Sequence, residues 1–260
     1  MSILLQVLDA QGNVRGERNG DTSASLLFRE AYQEGDRVRI AADSHHIAIS
    51  LDSAVGEAQV FLPTGEMYFA IPHGERRSMF APGAFEGNGH LLYVRIASPE
   101  EIAGTRNLAH NPYDSNENVW FFPHASANVE TRGEAAFAAR NAIDGNIENH
   151  GHGEWPYTSW GIAGNSDAEI ILSFGREVLI TGMTIFLRAD FPHDSYWRQA
   201  RLTFSDGSVQ IVPLCKTEQG QRVDVQPGKR AEWVRLDELI IDEKETSPFP
   251  SLSQWMIFGA

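Results

Sequence analysis

The 260-residue sequence has one cysteine, no long apolar run and no segment rich in lysine or arginine. A single cysteine, Cys215, excludes an internal disulfide framework. Its place at a predicted strand end, with no histidine nearby, marks it as a small buried hydrophobe. The opening MSILLQVLDAQGNVRGE lacks a basic start and meets Asp9 after a short apolar stretch. It therefore reads as neither a signal peptide nor a spanning helix, and the expected location is the cytoplasm. Basic charge is scarce as well: 21 Lys and Arg stand against 35 Asp and Glu, a net charge of −14. With no basic stripe interleaved with aromatics, neither nucleic acid nor an anionic membrane is an expected partner. The GxSxG elbow and the phosphate-binding GxxxxGKS/T loop are also missing, so neither chemistry has its usual anchor.

What is present is an ordinary globular composition, 42% hydrophobic and 22% charged. The length exceeds the roughly 100 to 200 residues of one domain, which predicts two. Between residues 36 and 97 the runs DRVRIAA, HHIAISL, AQVFLP, MYFAIP and HLLYVRIA are of strand length and bounded by turn formers. They predict an antiparallel all-β unit, an N-terminal β-sandwich over 1–105 with no role assigned to it. A polar, poorly periodic stretch predicts a linker over 106–122. Strand-like runs then resume in AEIILSF, LITGMTIFLRA, QARLTFSDGSVQIVPL, AEWVRLDELII and QWMIFGA. Ser205-Asp206-Gly207 supplies a hairpin turn, because Asp-Gly tolerates the positive φ such a turn needs. One short helix is predicted in EAAFAARNAIDG, where Phe137, Ala138, Asn141 and Ala142 have helical spacing and Gly145 can end it. The fold class is all-β: two β-sandwich domains.

Residues 123–260 resemble a coagulation-factor-type C domain, also called discoidin-like, of the galactose-binding jelly-roll superfamily. The likeness lies in ASANVETRGEAAFAARNAIDGN, in TSW at 158–160 and in IILSFGREVLITGMTIFLR across 170–188. It implies a jelly roll that binds glycan ends in its bacterial members, with a structural cation near the first loop. Carried over residue by residue, that cation would be Ca²⁺. It would be held by the side chain of Asp144, carbonyls of Asn141 and Asn146, Thr158, and Ser253 with Gln254, a donor set of oxygens as calcium prefers. Two departures stand out. Gln254 replaces a glutamate common in the family, and about ten residues are inserted before Thr158. Asp144-Gly145-Asn146 reads equally as an Asx-stabilised turn.

Two loops carry the candidate chemistry: HGHGEWPYTSWG at 150–161 and RADFPHDSYWRQ at 188–199. In a jelly roll the loops at one end of the sandwich cluster, so these two are expected to meet in one concave patch. Trp155 and Tyr157 would stack on the apolar face of a sugar, and Arg188 would clamp a charged or hydroxylated edge. His152, Glu154, Asp190 and His193 would exchange hydrogen bonds with hydroxyls, with His150 and Trp197 completing the set. Trp160 is expected in the core. The reading is a non-catalytic protein that binds a mono- or oligosaccharide. Three alternatives remain. A glycoside hydrolase would pair Glu154 with Asp190 or Asp194 across a scissile bond. A zinc site would use His150 and His152 with His193 or Glu154. A protein-interaction module would bury the same loops against another protein.

Overall fold

A computed structural model describes residues 2–189 and 195–260 of the chain. The backbone is nearly all β and divides into two units. One comprises residues 1–103 with 117–122, the other 104–116 with 123–260.

The N-terminal unit contains β1 (Ile3–Leu8), β2 (Val14–Gly20), β3 (Ser23–Phe28), β4 (Arg37–Ala42), β5 (His46–Ser50), β6 (Ala58–Phe61), β7 (Glu66–Ala70) and β8 (His90–Ile96). They form two antiparallel sheets, ordered β2-β1-β4-β7 and β3-β8-β5-β6. Alternation explains the layering: in β3, Ala24, Leu26 and Phe28 are buried between exposed neighbours, and in β4 Val38 and Ile40 are buried. The inner faces of both sheets make the core. A five-residue helix, α1 (Pro99–Ala103), follows β8.

The C-terminal unit contains β9 (Arg106–Asn107), β10 (His124–Ala127), β11 (Trp160–Gly161), β12 (Ile170–Arg188), β13 (Trp197–Phe204), β14 (Val209–Pro213), β15 (Gln221–Ile241) and β16 (Ser251–Gly259). All pair antiparallel in the order β11-β16-β12-β15-β13-β14, with β10 beside β12 and β9 beside β16. The two long strands generate the sandwich. β12 pairs with β10 through 170–173 and with β16 through 180–188, and its register against β15 shifts between Ser173 and Val178. Gly175 sits in that break with φ +68°, so one strand serves both layers. Trp160, Trp197 and Trp255 are fully buried in the core between them. The hairpin expected at 205–207 is present: Gly207 has φ +81° and the Phe204 amide donates to the Ser208 carbonyl.

Three sequence expectations are corrected. The stretch 106–122 is folded into the units: β9 joins a sheet, and Leu108, Ala109, Asn111, Tyr113 and Asp114 are buried. Its polar residues are internal pins, Asn111 donating to the Pro123 carbonyl and Asp114 accepting the Ala125 amide. The helix expected near 134–145 is a pair of 3₁₀ turns, Ala135–Phe137 and Ala139–Ile143, interrupted by extended Ala138. Tertiary bonds override helical spacing there. The Glu130 carboxylate takes the Ala139 amide at 2.7 Å, and Asn141 donates to the Ala135 carbonyl. Cys215 is exposed, because β14 has ended and its amide donates to Gln221 Oε1.

Candidate functional site

β12 ends by delivering Arg188 into the wall of an open cavity of about 620 Å³, lined by the C-terminal unit alone. Four further segments complete the wall. The 3₁₀ turns after β10 give Thr131, Arg132 and Phe137, the inserted loop gives His152, the turn after β11 gives Ile162 and Ala163, and the approach to β16 gives 246–251.

The local backbone is held under strain at this place. Arg132 has φ 55° and Ala163 φ 52°, left-handed values that cost a residue with a side chain roughly 1–3 kcal/mol. Thr131 joins the two turns, its Oγ1 accepting the Ala163 amide at 3.0 Å. Gly161 permits that approach, since a Cβ there would lie 2.6 Å from the same oxygen. Glu134 grips Arg132 through Nε and one Nη at 2.5 and 2.7 Å, and this bond holds the Glu134 carboxyl below the usual carboxylate range. Arg188 donates to Ser159 Oγ at 3.3 Å and is only 5% exposed. Its guanidinium stands 5.8 Å from the Phe137 ring centre, and that of Arg132 stands 5.6 Å from the same centre.

The wall therefore combines three chemistries. Phe137, Ile162, Phe249 and two prolines present apolar surface, Thr131, Thr246, Ser247 and Ser251 present hydroxyls, and Arg132, Arg188 and His152 present nitrogen donors. Among the described lining residues there is no Asp or Glu.

Of the residues expected from sequence, the structure brings Arg188 and His152 together on this wall. The other described ones lie elsewhere. His150 turns to carboxylates, Nδ1 lying 2.5 Å from Glu148 and Nε2 3.1 Å from Glu218. Glu154, Trp155 and Tyr157 are exposed and are not among the cavity's lining residues, Trp155 at 40% and Tyr157 at 37%. Trp197 is corrected from ligand contact to core: it opens β13 opposite Ile241, is fully buried, and its ring centre lies 6.2 Å from that of Trp160. Asp190, His193 and Asp194 lie outside the described residues. Among the described residues no group of three His, Cys, Asp or Glu side chains is placed to hold a metal ion. Sequence reading missed Thr131, Arg132, Phe137 and Phe249. The available signals were the Arg132-Gly133 turn and the proline-serine run TSPFPS before the last strand.

The cation suggested by the resemblance can be tested on the side chains around Asp144. Burial pushes the Asp144 carboxyl up to about 6, against the pull of the Arg140 guanidinium 3.6 Å away. Its oxygens already accept the Asn146 amide at 2.8 Å and the Thr158 hydroxyl at 3.4 Å. Gln254 Oε1 accepts the Gly145 amide at 3.1 Å, which leaves its Nε2, a donor, as the buried atom without a partner. Ser253 Oγ is likewise buried without one, and Asn141 Nδ2 is spent on the Ala135 and Ser159 carbonyls. Gly145 is required where it stands, with φ +91° and the His110 ring 2.6 Å from any added Cβ. One carboxylate facing one buried guanidinium is neutral before a dication arrives, whereas calcium needs several oxygens with net negative charge. The side chains alone do not make up the oxygen set that calcium prefers, and the carbonyls of Asn141 and Asn146 would have to supply the rest.

Neither a scan against models of protein families nor a search of curated proteins finds a match to the sequence. Solved structures do match in shape. A family 32 carbohydrate-binding module of NanJ from C. perfringens, in complex with galactose, is 19% identical, with a TM-score of 0.40 over 52% of this chain and 91% of that one. The lectin domain of lectinolysin complexed with Lewis B antigen is 15% identical, with a TM-score of 0.44 over 60% and 97%. A fucose-binding module from Streptococcus pneumoniae is 13% identical, with a TM-score of 0.43 over 60% and 98%.

Proposed function

We propose that the C-terminal unit binds a carbohydrate, a mono- or oligosaccharide, in the Arg188 cavity without hydrolysing it. The observation that carries this reading is the make-up of the wall: aromatic and aliphatic surface alternating with hydroxyl, imidazole and guanidinium groups around about 620 Å³. A pyranose has an apolar C–H face and a rim of hydroxyls. It needs a ring to pack on and fixed donors and acceptors at its edge, and a volume of this order suits a small ligand. Phe249, half exposed, offers the ring, while Arg188, His152 and the hydroxyls of 246–251 offer the edge. The hydrolase alternative has less support, because Glu154 is not among the lining residues and no other described carboxylate lines the cavity.

A glycan array followed by calorimetry tests this. The intact chain should give hits that Phe249→Ala and Arg188→Met each weaken at least tenfold, while the sugar is recovered unchanged after long incubation. Hits that survive both substitutions would move the site elsewhere. Release of product would make the protein an enzyme.

A further inference from the structure

We infer that a second cavity of the C-terminal unit, beside β10, takes a small ligand carrying a primary ammonium group, with Glu130 as its countercharge and Asn116, Ser126 and His124 as further acceptors. The cavity has about 340 Å³ and is lined by the C-terminal unit alone. It shares no lining residue with the Arg188 cavity, so the inference stands apart from the carbohydrate reading.

Alternation along β10 sends Ala125 to the core and leaves His124 and Ser126 on the other face. Asn116, from the segment before β10, and Glu130, just after it, complete the polar wall. The balance of donors and acceptors then decides the ligand. Glu130 is held at both oxygens, Oε1 accepting the Ala139 amide and Oε2 the Asn116 side-chain amide, each at 2.7 Å. Both donors are neutral, and no Lys or Arg is among the described lining residues, so the carboxylate is oriented without being neutralised there. Each of its oxygens keeps a further lone pair, and Asn116, having given its Nδ2, offers its carbonyl oxygen. His124 donates Nδ1–H to the buried Asp114 carboxylate at 2.8 Å, which fixes the tautomer and leaves Nε2 as a lone pair in the neutral ring. Ser126 adds a hydroxyl that can accept, whereas the Asn128 amide is spent on the Asp167 carbonyl and the Glu169 amide. A primary ammonium has three donors and no acceptor, which this set answers. A metal ion would need more ligands, and among the described residues no three His, Cys, Asp or Glu side chains gather to hold one. The ring adds a dependence on pH. Charge around it comes from Asp114, from Arg140, which donates to the Asp114 carbonyl, and from Glu130 in the same wall. Burial lowers the imidazole and the Asp114 bond raises it, with a net upward shift. The protonated ring opposes an ammonium, and the neutral ring at higher pH accepts it.

The test uses matched pairs on the intact chain, ethanolamine against ethylene glycol and benzylamine against benzyl alcohol, followed by NMR titration. At least one amine should bind tenfold or more tightly than its alcohol and shift the backbone amide signals of 124–130. Its affinity should rise severalfold between about pH 6 and pH 8.5, and the rise should flatten in His124→Gln. Glu130→Gln should bring the amine-to-alcohol ratio towards one. Because Glu130 also holds the Ala139 amide, Ser126→Lys serves as a second variant. Ser126 is exposed, and a lysine there sets an ammonium of the chain itself in the cavity, so amine binding should be lost at an unchanged thermal midpoint. Equal affinity within both pairs, or signals of 124–130 that do not move, would overturn the inference. A preference for the amine that survives both Glu130→Gln and Ser126→Lys would overturn it as well, because the ammonium would then be recognised elsewhere. So would an affinity that does not change with pH, because His124 would then not be an acceptor.

Discussion

Arg140 and Arg188 are both nearly buried arginines of the C-terminal unit, and their surroundings give them different tasks. Arg140 is enclosed by acceptors: the carbonyls of Pro112 and Asp114, the Asn141 side chain and, at 3.6 Å, the Asp144 carboxylate. It ties the segment before β10 to the 3₁₀ turns and neutralises the one carboxylate of the expected cation site. Arg188 is held by Ser159 and Phe137 but fronts an open cavity of about 620 Å³. The difference teaches that burial alone does not separate a structural charge from a ligand-facing one. What separates them is whether the group also lines a cavity.

Breaking the structural arginine should have the largest effect. Arg140→Met leaves Asp144 buried without its countercharge and several carbonyls without donors. The expected loss is about 3–5 kcal/mol of stability, read from the urea midpoint, with Arg140→Met/Asp144→Asn recovering part of it. Arg188→Met should cost less, because Arg188 lines a cavity whereas Arg140 is enclosed by acceptors. Similar losses for the two variants would erase the distinction.

Thr131→Val probes the scaffold of the cavity. It removes the acceptor of the Ala163 amide, and with it the tie between two left-handed turns. The expected stability loss is about 1–2 kcal/mol, accompanied by severalfold weaker sugar binding at an unchanged cavity charge. Unchanged affinity would show that the strained turns are not needed for the site.

The smallest effect concerns pH. Asp114, whose carbonyl accepts from Arg140, also accepts His124 Nδ1 at 2.8 Å on its other side. Burial alone would lower the His124 imidazole, but the bond to Asp114 raises it, and the net shift is upward. Folding therefore favours the protonated ring. That stabilisation is complete below about pH 6.5, the ordinary value, and is lost as pH rises through the raised one. Urea midpoints should fall between pH 6 and pH 8.5 in the parent chain and fall less in His124→Gln. Equal slopes would remove His124 from the network around Arg140.

Much of the fold is legible along the chain. The five runs between 36 and 97 became β4 to β8, and the Asp-Gly turn became the β13–β14 hairpin, because alternation and turn chemistry act locally. Trp160 lies in the core as its place in Thr-x-Trp suggests, its Nε1 donating to the Val129 carbonyl. The 3₁₀ turns at 135–143 were not legible, because distant partners such as Glu130 and Pro112 set their geometry. Nor was the wall of the cavity. The conspicuous aromatics Trp155 and Tyr157 advertise a site in the sequence, yet Phe137 and Phe249, in less conspicuous contexts, line the cavity.

By itself the sequence determined the class of the protein: β-strands by period-two alternation, turns by glycine and aspartate, and a loop-borne candidate site that includes His152 and Arg188. Tertiary structure decided which arginine is enclosed by acceptors and which lines a cavity, that Trp197 is core, and that segments as distant as Thr131 and Ser251 share that cavity. The physical reason is range. Backbone preference acts over a few residues, whereas burial and charge pairing depend on segments that only the folded sheets bring together.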